Sequence, residues 1–251
     1  INPATDAGVM DALEQSLTPP LRGWWCLVIC SGTRARSCPS PPSRNGSPST
    51  PQAPYLLVDA AQSFGQIPVQ DAAAAADIYA FTGHKWACGP EGLGGVALSE
   101  RVLNEGQPTV IGWRSLQDES KADLSSSDPF HHDSRRFEVA TSCVPLMAGL
   151  RCSLELLDQE GSAETRLMRI RQLSGDLWSG LREMPGVKPL MEVPPASGLV
   201  SFQLSCDAAP AEVVQQLGQQ GLWIRDLADP SCLRACTHVT TTEAETEALT
   251  T

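Results

Sequence analysis

YLLVDAAQS (residues 55–63) and DIYAFTGHKW (residues 77–86) are two apolar runs that each end in polar side chains. Short apolar runs bounded by turn residues are typical of buried strands in a parallel sheet. An alanine-rich segment, residues 71–76, separates the two runs, and a glycine-rich turn, residues 88–95, leads to a further strand, residues 96–99. This alternation predicts an α/β fold.

The second half of the chain has a different pattern. Residues 143–184 have helical periodicity in two segments, with a break at Glu160–Ser162. The elements that follow are a strand LVSFQLS (199–205), a helix APAEVVQQLGQQG (209–221), strands WIRDL (223–227) and CLRACTH (232–238), and a helix that starts in TTTEAETEALTT (240–251). We expect two domains: residues 1–150 form the C-terminal part of a large domain, and residues 151–251 form a small α+β domain.

Composition argues against several classes of function. The 251 residues carry a formal net charge of −11, and no dense cluster of Lys and Arg offers a track for a nucleic-acid backbone. No run of about 18 apolar residues is present, so no membrane span is expected. The chain begins at Ile1, without a basic and apolar signal segment, and we expect a cytoplasmic enzyme.

Nine cysteines are scattered along the chain, which favours reduced thiols over a disulfide framework. Cys232, Cys236 and His238 come closest to a metal-binding pattern, but no second Cys/His pair stands at zinc-finger spacing. We therefore expect no metal site. A thiol-rich metal-binding module remains a third alternative that rests on the cysteine count alone.

Residues 23–51 lack any periodicity and are rich in Ser, Pro and Arg, so as written they predict a disordered linker. A second interpretation is a pair of compensating frame slips near residues 22–23 and 50–52. Regrouping the codon bases yields VVVLSHLLWNTGQELPLAAIAQWLA, which has the pattern of a strand, a turn and an amphipathic helix. The coding DNA decides between a frame slip and a genuine insert.

The polar residues at the ends of the first two strands carry the candidate chemistry. Asp59 and Lys85 each stand at or just past the end of a predicted parallel strand, where open α/β sheets bind their ligands. Pyridoxal 5'-phosphate needs a lysine amine for its aldehyde, a carboxylate for its ring nitrogen and donors for its phosphate. Lys85 and Asp59 suit the first two roles. Gln62 suits the ring hydroxyl, and Thr82 and His84 suit the phosphate.

These stretches resemble the cofactor region of class V aminotransferases, the cysteine desulfurase-like branch of the fold-type I pyridoxal-phosphate enzymes. The similarity rests on LLVDAAQSFGQIPV (56–69) and YAFTGHKWACGPEGLGG (79–95), and TGHKW is typical of the cyanobacterial cysteine/cystine C–S lyases. An SHxLWNTG motif in the regrouped segment fits the same group. The resemblance implies a large domain with a mainly parallel seven-stranded sheet, incomplete here, and a homodimer.

The resemblance also implies further site residues. Thr141, in FEVATS (137–142), matches a threonine that reaches the cofactor phosphate of the neighbouring subunit. Arg234 and Arg225 match arginines that bind the substrate carboxylate, a role that suits the guanidinium fork. IGWRS (111–115) resembles a loop near the dimer interface.

The implied reaction is β-elimination from cysteine or cystine to pyruvate, ammonia and sulfide or persulfide, with Lys85 as catalytic base. The alternatives within the family are cysteine desulfuration, transamination and epimerisation. Desulfuration needs a nucleophilic cysteine on a mobile loop before Arg234, but the connection there is only ADPS (228–231).

The remaining alternative is an inactive fragment without cofactor. The resemblance extends from about residue 8, where GVMDALEQSLT (8–18) predicts a short helix, to the end of the chain. It implies that roughly the first third of a complete family member is absent. That third and residues 23–51 are expected to supply much of the cofactor pocket.

Overall fold

A computed structural model describes residues 24–28, 55–118 and 128–251. The predicted helix at residues 8–18 and most of the 23–51 segment lie outside these residues. Within that segment the backbone of Trp24–Val28 forms strand β1, in contrast to the disordered linker expected from the sequence as written. The regrouped sequence predicts a strand at this place.

The first sheet has four strands in the order β1, β2, β3, β4, with bounds Trp24–Val28, Tyr55–Asp59, Ile78–Thr82 and Gly94–Leu98. β1 pairs with β2 and β2 with β3 in parallel, whereas β4 runs antiparallel to β3. Two short helices, α1 (Gln70–Ala75) and α2 (Glu100–Glu105), follow β2 and β4. The sequence pattern did not predict α2.

A buried carboxylate fixes the start of β3 in this sheet. Asp77 has no exposed surface, and it accepts hydrogen bonds from the Leu56 amide at 2.8 Å and the Ser99 hydroxyl at 3.0 Å. Arg101 lies 3.9 Å away with its side chain 20% exposed. Because a buried charge is costly without partners, these contacts hold β2, β3 and the end of β4 in one arrangement.

Two long helices lead from the first sheet to the second. They are α3 (Val144–Gln159) and α4 (Ala163–Glu183), separated by Gly161 in the left-handed region at φ +103°. The Ser162 hydroxyl caps α4 by accepting from the Thr165 amide. The break at Glu160–Ser162 is therefore confirmed. Residue 150 lies inside α3, and the division into two domains there stays a prediction.

The second sheet is antiparallel, in the order β5, β6, β8, β7, with bounds Val187–Pro189, Leu199–Leu204, Ser231–Cys236 and Arg225–Ala228. Helices α5 (Pro210–Gln219) and α6 (Glu243–Ala248) complete this part. One face of the sheet packs on α4, and the core there consists of Leu177, Trp178, Leu181, Val200, Phe202, Leu233 and Ala235. β5 has only three residues and was not predicted.

No helix in the described part of the chain is long and apolar enough to cross a membrane. The elements alternate between strands and helices, and the first sheet is mainly parallel in the described strands. The predicted α/β class is therefore confirmed, with an antiparallel strand at one edge of the first sheet.

Candidate active site

Asp59 and Thr82 lie at the same edge of the first sheet. Asp59 is in register with Ala80 of β3, and the Ala60 amide extends the pairing to the Ala80 carbonyl oxygen at 2.8 Å. Thr82 follows Ala80 by two residues, and side chains alternate along a strand. Asp59 and Thr82 therefore face the same side of the sheet, at the carboxyl ends of two parallel strands.

Lys85 lies in a loop that hydrogen bonds close at its base. In this lysine loop, residues 83–93, the Gly83 amide donates to the Leu93 carbonyl oxygen at 2.9 Å, and the Gly89 amide donates to the Gly83 carbonyl oxygen at 2.8 Å. The Cys88 amide donates to the Lys85 carbonyl oxygen at 3.0 Å. The loop thus holds an exposed lysine at the sheet edge.

Gly89 is a glycine that the loop requires. A Cβ atom there would lie 2.7 Å from Cδ1 of Leu150 on α3 and 3.0 Å from the Gly83 carbonyl oxygen. A larger residue there would require the Leu150 side chain or the backbone of the loop to shift. The glycine-rich composition of this turn therefore reflects the close packing that positions Lys85.

Thr82 and His84, the two expected phosphate ligands, flank the start of the loop. The Thr82 hydroxyl is buried and has no hydrogen-bond partner among the described residues. Buried polar groups in folded proteins are normally bonded, so this hydroxyl has capacity for a ligand. His84 is exposed beside Lys85. An unsatisfied donor and an exposed imidazole next to the lysine fit the phosphate of pyridoxal 5'-phosphate.

Asp59 and Gln62 approach the lysine loop from β2. The half-buried Asp59 carboxylate accepts the Ala61 amide through Oδ1 at 3.0 Å. The Gln62 side chain accepts the indole N–H of Trp86, with Oε1 2.9 Å from Nε1. This hydrogen bond connects Gln62, which is expected at the ring hydroxyl of the cofactor, to Trp86, which directly follows Lys85. Five of the predicted site residues, Asp59, Gln62, Thr82, His84 and Lys85, thus cluster at one edge.

Arg225 lies on β7 and Arg234 on β8 of the second sheet, and the two residues are direct cross-strand partners. Partners in an antiparallel pair point to the same face, and the neighbours Leu233 and Ala235 point to the other face, into the core. Arg234 is half-buried and Arg225 is exposed. Two guanidinium groups on one face suit a carboxylate ligand, which a guanidinium binds by charge-assisted hydrogen bonds.

The start of β6 ties this arginine-bearing face to the lysine loop. Leu199 pairs with Cys236 and packs in one core with Val58 of the first sheet and Trp86 of the lysine loop. A Cβ atom at Gly198 would lie 2.9 Å from Cη2 of Trp86, so the indole ring rests on the backbone there. The two groups of candidate residues are therefore parts of one packed arrangement.

Thr141 is exposed in the segment between the 3-10 turn Ser134–Phe137 and α3. No described contact joins it to the lysine loop. Its proposed role requires a second subunit, which an exposed position permits.

The cysteine pattern does not form a metal centre. Cys232 and Cys236 lie four residues apart on β8, which places their Cα atoms about 13 Å apart at the usual rise of a strand. Two ligands at that separation cannot bind one ion. No cluster of three His, Cys, Asp or Glu suited to a metal occurs in residues 55–118 and 128–251.

Sequence reasoning missed the residues that connect the site. The sequence predicts a role for Trp86 only as part of the TGHKW motif and for His238 only as a possible metal ligand. It predicts no role for Gln66 or Gly198. The one available signal was the indole next to Lys85 in TGHKW. The contacts of Gln66, Gly198 and His238 join residues more than 130 positions apart, which no local pattern reveals.

The sequence model of the family described as aminotransferase class-V matches residues 51–247. Among curated relatives, a probable cysteine desulfurase of Streptomyces coelicolor is 30% identical over 184 residues, which cover 71% of this chain and 42% of the relative. The chain thus spans less than half of that relative's length.

The fold also matches solved structures closely. A complex of the cystine C–S lyase C-DES with its reaction product cysteine persulfide has a TM-score of 0.86 and 36% identity, covering 96% of this chain and 63% of that one. A lysine-to-alanine mutant of C-DES, with glycine covalently linked to its PLP cofactor, has a TM-score of 0.85 and 36% identity, covering 96% and 62%. The predicted fold-type I architecture is confirmed.

Proposed function

Because the chain belongs to the aminotransferase class-V family, we propose that it forms part of a pyridoxal-phosphate enzyme that cleaves the C–S bond of cysteine or cystine by β-elimination. The products are pyruvate, ammonia and sulfide or persulfide. Pyridoxal phosphate is the cofactor of this family, and the unsatisfied Thr82 hydroxyl beside an exposed lysine fits it.

When bound, the cofactor supplies an electron sink for the electrons left after the α-proton is removed. Asp59 keeps the proton on the ring nitrogen, which its place at the end of β2 supports. Thr82 and His84 hold the phosphate from the start of the lysine loop. Lys85 would hold the cofactor through its amine, and the substrate amine would displace it there. The freed Lys85 amine would then take the α-proton of the substrate as general base.

Arg234 and Arg225 bind the substrate carboxylate in this proposal. Their cross-strand pairing places two guanidinium groups on one face of the sheet, the face that carries Leu199 toward the first sheet. A carboxylate bound at this face would form charge-assisted hydrogen bonds with the two guanidinium groups.

The observation that favours elimination over desulfuration is the β7–β8 hairpin. The two strands are paired through Ala228 and Ser231, so only Asp229 and Pro230 form the turn. Cys232 lies inside β8, 2% exposed, and burial raises the pKa of its thiol. A buried thiol with a raised pKa, fixed in a paired strand, lacks the mobile loop and the thiolate character that a desulfurase nucleophile needs.

The product distinguishes the two reactions. Elimination from cysteine releases pyruvate, whereas desulfuration releases alanine and leaves the sulfur on an enzyme thiol. We expect pyruvate, with its rate unchanged in Cys232→Ser. Alanine as the main product, lost in Cys232→Ser, would establish desulfuration instead.

The role of Lys85 is tested with the cofactor itself. Added pyridoxal phosphate is expected to give a visible absorption band at about 420 nm. Lys85→Ala should lose the band and lower pyruvate formation at least about a hundredfold. Lys188→Ala is the matched control, since Lys188 is an exposed lysine on β5, and it should retain both. Wild-type protein without the band would favour the inactive fragment.

We also propose that the enzyme is a homodimer. Large apolar side chains are exposed in and before the 3-10 turn Trp113–Ser115, after the turn Ser134–Phe137 and at the start of α3: Val110, Ile111, Trp113, Val139, Val144 and Met147. Gly112 packs against the Val139 carbonyl oxygen, so the two segments form one apolar patch. Such a patch favours a symmetric contact with a second copy, next to the exposed Thr141.

A cytoplasmic location is part of the proposal. The six cysteines of the described residues are free thiols, which a reducing compartment maintains. The thiols are not paired, and they lie in the lysine loop, at the start of and within α3, after β6 and on β8. Fractionation of the source cells, with the thiol state of Cys152 and Cys206 as a readout, tests this location.

A further inference from the structure

Trp86 directly follows Lys85 and is 6% exposed. Its indole Nε1 lies 2.9 Å from Oε1 of Gln62. An indole N–H can only donate a hydrogen bond, and of the two ends of an amide only the oxygen accepts one. The chemistry of the pair therefore fixes which end of the Gln62 amide faces Trp86, and the NH₂ group is directed away from the indole.

Other contacts hold the indole in place. The His238 imidazole approaches the Trp86 carbonyl oxygen with Nε2 at 3.1 Å, and that nitrogen must donate because a carbonyl only accepts. On the ring side, the backbone of Gly198 lies against the indole so closely that a Cβ would come within 2.9 Å of Cη2. Trp86 is thus fixed at its backbone and at its ring.

The Gln62 backbone is fixed as well. Gln66, 1% exposed, donates from Nε2 to the Gln62 carbonyl oxygen at 2.7 Å and accepts the Gly198 amide through Oε1 at 2.7 Å. Both ends of the Gln62–Trp86 hydrogen bond therefore belong to one buried network that also includes the start of β6. Movement of Gln62 relative to the lysine loop requires this network to break.

We propose that Trp86 is a positioning residue that keeps the NH₂ group of Gln62 directed at the ring oxygen of the bound cofactor. This inference rests on the proposed function, because it needs pyridoxal phosphate on Lys85. The ring oxygen carries negative charge, so an amide donor stabilises it and an amide oxygen repels it. Without the indole N–H, the two-fold rotation of the amide is no longer biased toward the donor orientation.

The hydrogen bond itself is tested in the cofactor-free chain. The chain has six tryptophans, so the spectrum of ¹⁵N-labelled indoles should contain six signals, and Trp86→Phe identifies that of Trp86. In Gln62→Met this signal should move upfield, because its proton loses the acceptor oxygen. An unchanged Trp86 signal in Gln62→Met would overturn the proposed orientation of the amide.

The effect on the cofactor is tested by a pH titration of its visible band. A hydrogen-bond donor stabilises negative charge on the ring oxygen, so that oxygen attracts the proton of the lysine-linked nitrogen less. The nitrogen therefore loses its proton, and the band changes, at lower pH. Trp86→Phe should raise the midpoint of this titration by roughly one pH unit, which corresponds to the free energy of losing one hydrogen bond to a charged group. An unshifted midpoint would overturn the role of Trp86.

Trp178→Phe is the matched control. Trp178 is also a buried tryptophan, 7% exposed, whose Nε1 donates one hydrogen bond, to the Met191 carbonyl oxygen at 3.0 Å. It lies on α4, in the core of the second sheet. Its replacement should leave the midpoint unchanged. An equal shift in both variants would mean that any lost indole has this effect, and would also overturn the role of Trp86.

Gln62→Glu tests the donor on which the role of Trp86 depends, and it does so even if Trp86→Phe does not fold. A carboxylate still accepts the Trp86 N–H but supplies no donor to the ring oxygen, so the midpoint should again rise. An unchanged or lower midpoint would contradict the proposal. A wild-type chain that takes up no cofactor overturns the proposed function and this role together. Normal uptake with no shift in Trp86→Phe overturns only the role of Trp86, whereas no shift in Gln62→Glu overturns the donor role of Gln62 as well.

Discussion

His238 shows how contacts define the state of a single residue. Its Nε2 faces the Trp86 carbonyl oxygen, and its Nδ1 accepts the Thr240 amide at 3.3 Å. This pair of partners corresponds to the neutral imidazole with its proton on Nε2. Burial, with a smaller contribution from Arg166, lowers the pKa of His238 below its usual value of 6.5, and the Trp86 carbonyl and Glu160 oppose the shift.

This lowered pKa predicts a pH dependence of stability. As the pH falls below about 6.5, the unfolded chain binds a proton at His238 before the folded chain does. The contribution of His238 to the free energy of unfolding is therefore complete above that pH and is lost as the pH falls through the folded pKa. Denaturant unfolding between pH 7 and 5, roughly, should show a smaller loss of stability in His238→Gln than in wild type.

His132→Gln provides the control for that measurement, since His132 is an exposed histidine just before the 3-10 turn Ser134–Phe137. Its pH profile should follow the wild-type profile. Identical profiles for wild type and His238→Gln would show that the protonation of His238 does not differ between the folded and unfolded chain.

At the scale of elements, α6 has a complete capping box. The Thr242 hydroxyl accepts the Glu245 amide at 3.3 Å, and the Glu245 carboxylate accepts the Thr242 amide at 2.7 Å. A threonine followed three residues later by a glutamate is the sequence signature of this cap, because the partners are only three residues apart.

Thr242→Ala should lower the free energy of unfolding by about 1 kcal/mol, the usual cost of a lost N-cap. Chemical denaturation with an unchanged slope measures this loss. Thr251→Ala, at the exposed end of the chain, should change stability by less than about 0.5 kcal/mol. Equal effects of the two substitutions would mean that the box does not stabilise α6.

Local signals also predicted most other elements. The bounds of β2, β6, α4 and α5 agree with the sequence pattern to within a few residues, since each pattern reflects burial of one face or one run. The short elements β5 and α2 were missed because three to six residues are too few to display a period. β5 exists through its pairing with β6, which is a tertiary contact.

At the scale of the whole molecule, the apolar patch around Val110 predicts how copies assemble. Val110 is 67% exposed, and an aspartate there would place a charge in the proposed interface. Val110→Asp should convert the dimer into monomers in sedimentation or light-scattering measurements at micromolar concentration.

Val193→Asp is the matched control, because Val193 is a similarly exposed valine, 61%, in the loop between β5 and β6. It should remain dimeric. Monomeric wild-type protein, or a Val110→Asp variant that stays dimeric, would place the subunit contact elsewhere or remove it.

The sequence by itself determined the α/β class and one cluster of candidate site residues. Asp59 and Thr82 end two neighbouring parallel strands, Gln62 and Lys85 follow them, and the ends of such strands must lie at the same edge of a sheet. Strand periodicity is a local property, so residues 55–86 contain enough information to predict this edge.

Only the tertiary structure decided how that edge meets the rest of the molecule. The cross-strand pairing of Arg225 with Arg234, the burial of Cys232 and the contact of His238 with Trp86 each depend on where distant segments pack. Packing is cooperative and involves residues far apart in the chain, so no short pattern encodes it. The orientation of the Gln62 amide is such a property, because it is set by an indole 24 residues away.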